Sequence, residues 1–353
     1  MMREWEKNIR TVEPYVPGEQ PKAANVIKLN TNENPYPPTP KAVEAAKALD
    51  FDRLRLYPDP EAADLVNVIA DHYGMNCNQV FVGVGSDDVI SMCFMTFFNG
   101  NKPILFPNIT YSFYSVWADL YRIPYETPAL NDKFEIVPED YYKENGGVIF
   151  PNPNAPTAKY MELSAVEDII KHNQDVVVII DEAYIDFGGQ SAIDFVNKYE
   201  NVLVVQTFSK SRSMAGMRIG YAFGNEKLIK ALNDVKYSFN SYTMNVTSLA
   251  YGVEAVKDDA YFKECIGKII ETREYSAKRL TELGFTYPES KANFIFATHQ
   301  SVPAEQIFTA LKERNIYVRY FKKPLIDNYL RITIGTKEQM DKLFEALSEI
   351  VGA

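Results

Sequence analysis

Val176-Val-Val-Ile-Ile-Asp181-Glu182-Ala-Tyr184 is the stretch whose reading decides the fold. Five consecutive branched aliphatics leave no alternation between core and solvent. They predict a strand buried on both faces, as in a parallel sheet covered by helices. Asp181 closes that strand at its carboxyl end, where open α/β sheets place their ligands. A second apolar run, Val202-Leu-Val-Val205, reads the same way. It leaves the core through Thr207-Phe-Ser-Lys210-Ser-Arg-Ser-Met-Ala-Gly-Met-Arg218-Ile-Gly-Tyr221. Further out, Val80-Phe-Val-Gly, Ile104-Leu-Phe and Gly147-Val-Ile-Phe150 continue the strands, with helical patterns between several of them, such as Glu61 to Tyr73. Alternation of this kind predicts an α/β fold with a mostly parallel sheet.

The two strand ends carry the chemistry. A lysine at the end of a buried strand, as Lys210 is, is well placed for covalent catalysis on a carbonyl. Ser209 and Arg218 flank it with a hydroxyl and a fixed positive charge, the groups that a phosphate ester needs. Together they point to an aldehyde cofactor with a phosphate tail, pyridoxal 5'-phosphate. That cofactor needs a carboxylate beside its ring nitrogen, the part Asp181 is placed to play, and Tyr184 is within reach of the phenolic oxygen. A nucleotide-hydrolysing strand also ends in Asp-Glu, but it requires a Gly-rich loop ending in Gly-Lys-Ser/Thr. The only Gly-Lys pair here is Gly267-Lys268, followed by Ile. Gly83-Val-Gly85-Ser86-Asp87 joins a strand to a helix, so the backbone N–H groups near Ser86 and Asp87 are candidates to hold the phosphate. The dinucleotide fingerprint is excluded because its third glycine is missing, the position being Val89 or Ile90.

With these segments in place the chain resembles the fold-type-I pyridoxal-phosphate aminotransferases, in the histidinol-phosphate aminotransferase branch. The resemblance runs nearly end to end. It covers Leu29-Asn-Thr-Asn-Glu33-Asn-Pro-Tyr36, Tyr57-Pro-Asp-Pro, Gly83-Val-Gly-Ser86-Asp-Asp, Pro107-Asn-Ile-Thr-Tyr111, Asn152-Pro-Asn-Ala-Pro-Thr-Ala158, both strand ends and Tyr329-Leu-Arg331-Ile-Thr-Ile-Gly-Thr336. It implies a three-layer α/β/α large domain with a mostly parallel sheet and a smaller α+β domain. It also implies that Tyr111 stacks on the pyridine ring and that Tyr57 is donated across a homodimer interface to the cofactor phosphate. Arg331 matches the arginine that binds an α-carboxylate, and Arg319 the one directed at a substrate phosphate, with Tyr15 as helper. Asn32, Glu33 and Asn34 are expected to line the entrance. One departure stands out. Where the family has Asn-Asn-Pro-Thr-Gly, this chain has Asn154-Ala155-Pro156-Thr157-Ala158, so either Asn154 or Tyr184 alone is left to meet the phenolic oxygen.

The implied reaction is transamination of L-histidinol phosphate with 2-oxoglutarate, with Lys210 as general base and acid and Asp181 holding the ring proton. The alternatives are an aromatic-amino-acid aminotransferase and a threonine-phosphate decarboxylase on the same scaffold. A cofactor-binding sensor domain of a transcription regulator is disfavoured, because no amino-terminal pair of DNA-binding helices is legible.

Composition sets outer bounds. At 353 residues the chain is long enough for two domains with sizeable cores. The reading divides it into an amino-terminal arm over 1–40 packing with the small domain, a large cofactor-binding domain over 41–245 and a small domain over 246–353. A net charge of -10 argues against a nucleic-acid partner. The odd, widely spaced Cys77, Cys93 and Cys265 suit free thiols in a reducing cytosol. His72, His172 and His299 are not at metal-ligand spacing, so no metal is expected. The apolar run Val89 to Phe98 is too short to span a membrane, and Met-Met-Arg-Glu-Trp-Glu-Lys lacks the apolar core of a signal peptide. The expected setting is a cytoplasmic dimer acting on a small amino donor and a 2-oxo acid.

Overall fold

A computed structural model of the chain describes residues 3–22 and 25–352. A seven-stranded sheet forms the larger unit, in the order Val80–Gly83, Gly220–Gly224, Val202–Thr207, Val178–Asp181, Val148–Pro151, Ile104–Leu105, Tyr125–Glu126. The last five run parallel, and Gly220–Gly224 runs antiparallel to both neighbours. Side chains of Val178 to Ile180 and Val202 to Val205 are fully buried, as the unbroken apolar runs require. Register then aligns the strand ends. Pro151 pairs with Asp181, Asp181 with Val205, and Gly220 stands opposite both Thr207 and Gly83. One edge of the sheet therefore presents Gly83, Thr207 and Asp181 together.

Gly220–Gly224 was not legible as a strand, because its bounding glycines read as turns. Packing explains the first of them. A Cβ at Gly220 would stand 2.3 Å from Gly85 C and Ser86 N, so only glycine lets the helix Ser86–Phe97 start against this strand.

The smaller unit is a four-stranded antiparallel sheet, Arg319–Tyr320, Leu330–Thr333, Phe294–His299 and Phe285–Thr286. The helices Asp259–Glu282, Ala304–Glu313 and Lys337–Val351 supply much of the rest of its core. Asn245 caps the helix Val246–Lys257 by accepting from Ser248 N. That helix packs on Pro40–Lys47 and Ala63–Tyr73 and sends Ala255 and Val256 into the core of the large sheet. By packing it belongs to the larger unit, so the division expected at 245/246 moves one helix later. The break falls at Asp258, whose carboxylate accepts from Thr39 Oγ1 and Lys41 Nζ. The arm touches both units. Ile27–Lys28 pairs parallel with Ile316–Tyr317 and Leu29 enters the small core, whereas Tyr15 stacks on Phe113 of the larger unit at 4.1 Å.

Among the described residues no helix is long and apolar enough to cross a membrane, and no group of three or more His, Cys, Asp or Glu is placed to hold a metal ion. All three cysteines are free thiols.

Candidate active site

Asp181 emerges from its strand into the protein interior, not into water. Tyr114 OH donates to Oδ2 at 2.8 Å and the Ala183 N–H to Oδ1 at 3.2 Å. Both partners are neutral, and burial pushes the carboxyl up to about 6. A buried carboxylate held only by neutral donors suits a cationic group seated against it, such as a protonated pyridine nitrogen. The folded group titrates near 6 and the unfolded one near 3.8, so its favourable contribution is complete below about 3.8 and is lost as pH rises through about 6. The cofactor-free Asp181→Asn protein, whose amide does not titrate there, should therefore gain in melting temperature over wild type between pH 4 and 7. Calorimetric curves that stay parallel across that range would contradict this.

Beside it lies a cradle suited to an anion. Gly85, with φ 86, turns the chain into the helix Ser86–Phe97, whose free N–H groups form a site for anions. Arg218 packs on this turn so closely that a Cβ at Gly85 would lie 2.6 Å from its Nη2. Its guanidinium donates to Asp87 Oδ2 at 3.0 Å and to Ser209 Oγ at 3.4 Å. Tyr111 OH donates to the other Asp87 oxygen at 2.7 Å, and Thr207 Oγ1 donates to Ser209 Oγ at 3.1 Å. Gly85, Ser86, Asp87, Tyr111, Ser209 and Arg218 are thus brought together.

Lys210 is half-buried on the turn after Thr207, and its Nζ donates to the Thr31 carbonyl at 3.2 Å, 5.9 Å from the centre of the Tyr184 ring. Asn32, in the left-handed region at φ 56, donates from Nδ2 to Tyr184 OH at 2.9 Å. Thr333, on the small sheet, fixes Asn32 by donating from Oγ1 to Oδ1 and accepting from its N–H, both at 3.0 Å. Because the Tyr184 oxygen accepts from Asn32, its own proton is free to be donated into the cavity. That cavity, of about 160 Å³, is lined by Tyr15, Asn32, Tyr111, Tyr184, Lys210, Arg319 and Arg331, among others.

The two arginines are direct cross-strand partners. Arg331 donates from Nη2 to the Asn30 carbonyl at 2.8 Å, and its buried Nε has no partner among the described residues. Withdrawal from water, and secondarily the Arg319 charge, push the Arg331 pKa down. Phe321 sits under both guanidinium groups, at 5.5 Å from Arg319 and 5.6 Å from Arg331. Two cations side by side with an unused buried donor form a receptor for an anion.

One expectation changes. The Asn154 carboxamide is committed to the protein, its oxygen accepting from Thr110 Oγ1 at 2.9 Å and its nitrogen donating to Ile109 O and Thr157 Oγ1. Ala155, Pro156 and Tyr184 line the cavity instead, and Asn154 serves the scaffold. Ala158, where the family has glycine, takes the left-handed φ of 63 that glycine favours. Tyr57 lies away from this cavity, 81% exposed and stacked on Tyr242 at 4.5 Å. Sequence reasoning missed Tyr114, Thr31, Thr207 and Phe321. Only Thr207 had a usable signal, as the last residue of a buried strand two places before Ser209.

Comparison with known proteins bears on the family and the fold. Residues 24–347 match the family described as aminotransferase class I and II. Histidinol-phosphate aminotransferase 1 of Hydrogenovibrio crunogenus is 52% identical over 351 residues, covering 99% of each chain. Histidinol-phosphate aminotransferase of Marinomonas sp. is 53% identical over 99% of this chain and 100% of its own. Among solved structures, histidinol-phosphate aminotransferase from Sinorhizobium meliloti, in complex with pyridoxal-5'-phosphate, superposes with a TM-score of 0.85 at 22% identity, covering 92% of this chain and 91% of that one.

Proposed function

The chain belongs to the class I and II aminotransferases, in their histidinol-phosphate branch, and on that premise we infer that it transaminates L-histidinol phosphate with 2-oxoglutarate, giving imidazole acetol phosphate and L-glutamate. The observation that carries the substrate is the Arg319–Arg331 pair at the cavity that holds Lys210 and Tyr184. A phosphate ester approaching two negative charges engages both guanidinium groups, and glutamate does so with two carboxylates. An aromatic amino acid has one carboxylate and leaves one cation unpaired, which argues against the aromatic reading.

Pyridoxal phosphate, when bound, supplies an electron sink for the charge released at the substrate Cα. Asp181 is the group to hold the proton on its ring nitrogen, and Gly85, Ser86, Asp87, Ser209 and Arg218 are the residues to hold its phosphate. Tyr111 is the aromatic neighbour of that cradle and fits the stacking role. Lys210 Nζ takes the proton from the substrate Cα in one half of the cycle and returns one in the other. Tyr184, oriented by Asn32, offers its proton beside Lys210. Tyr15 and Tyr111 narrow the cavity and limit water.

Arg319→Ala tests the substrate. Charge-assisted hydrogen bonds contribute roughly 1.5–3 kcal/mol, so the KM for the phosphorylated amine should rise at least about tenfold, the factor that ~1.4 kcal/mol represents. The half-reaction with glutamate should weaken as well, since its second carboxylate loses Arg319 while the α-carboxylate keeps Arg331. Equal, small losses with both amines would remove Arg319 from phosphate binding and favour the aromatic aminotransferase.

A homodimer completes the reading. Phe51, Leu54, Leu56, Tyr57 and Phe239 are all about half exposed or more, with Tyr57 on the rim of an apolar cleft formed by residues 40–65 and 246–254. Apolar surface of this extent calls for a partner, and a second copy would bring Tyr57 to the neighbouring cradle. Mixing Tyr57→Ala with Lys210→Ala subunits should restore one intact site per hybrid dimer, and with it activity. No recovery in demonstrated hybrids would place Tyr57 outside the partner's site. Three free thiols and the absence of a membrane-crossing helix among the described residues support a cytoplasmic setting.

A further inference from the structure

Both ends of Lys210 are held by one short stretch of the arm. Its Nζ meets the Thr31 carbonyl, and its own main-chain carbonyl accepts from Asn34 Nδ2 at 3.0 Å. The same nitrogen donates to the Ser211 carbonyl at 3.2 Å, while Asn34 Oδ1 accepts the Tyr36 N–H at 3.0 Å. Both amide protons and the oxygen are thus engaged. Sequence placed Asn34 at the entrance with Asn32, but Asn30, Thr31 and Asn32 line the cavity, and Asn34 turns to the lysine's backbone.

The turn that carries Lys210 is closed by Met214 N–H donating to Phe208 O at 3.0 Å and tied by Arg212 Nη1 to Ala255 O at 2.7 Å, but it gives the Lys210 carbonyl itself little support. Within it, the Ser213 N–H reaches the Lys210 carbonyl only at 3.5 Å, a marginal length. The arm stretch, by contrast, is firmly seated. Leu29 N donates to Tyr317 O at 2.7 Å, Thr333 N to Leu29 O at 3.0 Å, and Asn293 Nδ2 to Asn32 O at 3.0 Å. Anchorage therefore passes from the small sheet through residues 29–34 to the turn.

We propose that Asn34 is a positioning residue for Lys210, its two N–H donors fixing the main chain of the turn so that Nζ stays in line with the substrate's α-proton. This rests on Lys210 being the proton-moving group. A misplacement of about 1 Å at a reacting group can cost on the order of a hundredfold, and Nζ sits at the end of a flexible four-carbon stem whose root Asn34 holds.

Asn34→Asp is the deciding variant, because it keeps the shape and the acceptor for Tyr36 N–H but removes both donors. Its kcat should fall roughly ten- to a hundredfold with KM for histidinol phosphate little changed. The isotope effect with α-deuterated substrate should rise as proton transfer becomes limiting. In the cofactor-free protein, reductive methylation of Lys210, followed by peptide mapping, should proceed faster than in wild type. Asn34→Ala gives the same readings if the aspartate variant does not fold, and melting temperatures confirm which variants are folded. A folded variant with wild-type kcat, isotope effect and labelling rate overturns the proposal, as does a loss confined to KM. Lys210→Ala, run alongside, separates the failures. If it retains turnover, the role of Lys210 itself falls, whereas an inactive Lys210→Ala beside a wild-type-like Asn34→Asp removes Asn34 alone.

Discussion

Lys210→Ala should leave a folded protein with no multiple turnover and no covalently fixed cofactor. Its side chain is half-buried and lines the cavity together with Thr31, Tyr184 and the arginine pair. Removing it takes away the group proposed both as the nucleophile that holds the cofactor and as the base that moves the α-proton. Positioned acid–base groups alone contribute about 10²–10⁴-fold, so the two roles together put the loss beyond that range. The fold should survive, since among the described residues the only hydrogen bond lost with the side chain is the one to Thr31 O. Borohydride reduction of the wild type followed by peptide mapping should find the cofactor on Lys210. Label on any other lysine would contradict the assignment.

Asp181→Asn is expected to have the second-largest effect. The amide is nearly the same shape and still accepts from Tyr114 OH, so the sheet edge should persist. What is lost is a buried carboxylate, the charge proposed to hold the ring proton. Preorganised charges in sites closed to water are worth about 10²–10³ in rate when removed, and kcat should drop by that order. Because burial works against the carboxylate in the cofactor-free protein, the same substitution should stabilise that form near neutral pH. Slower turnover with a more stable apoprotein is the signature of a charge kept for function. Near wild-type turnover would remove Asp181 from the mechanism.

Much of this was legible because the decisive residues terminate buried strands. An unbroken run such as Val176 to Ile180 has only one comfortable place, the middle of a covered sheet, and Asp181 and Lys210 inherit their positions from such runs. The phosphate cradle was legible for a related reason, since Gly83-Val-Gly85 must turn a strand into a helix. Residues that work across long sequence separations were not. Tyr114 reaches Asp181 over 67 positions and Asn34 reaches Lys210 over 176. No local pattern marks either, and the chain has 23 tyrosines from which to choose. Asn154 misled because an asparagine in a turn serves the backbone as readily as a ligand, and only its packing against Thr110 and Ile109 settles which. The domain division slipped by a helix for a similar reason. Residues 246–257 and 259–282 read as one helical stretch, and the break at Asp258 appears only when one helix packs on the large sheet's side and the next on the small.

The central claim is that Lys210, Asp181 and the paired arginines serve a phosphorylated amine. Its most direct test is a single-turnover half-reaction, following the absorbance of the bound cofactor after mixing with L-histidinol phosphate, phenylalanine, tyrosine or threonine phosphate. The account predicts that histidinol phosphate converts the cofactor fastest and at the lowest concentration, and that added 2-oxoglutarate then restores the starting spectrum with release of glutamate. Faster conversion by phenylalanine or tyrosine, or release of carbon dioxide from threonine phosphate, would contradict it.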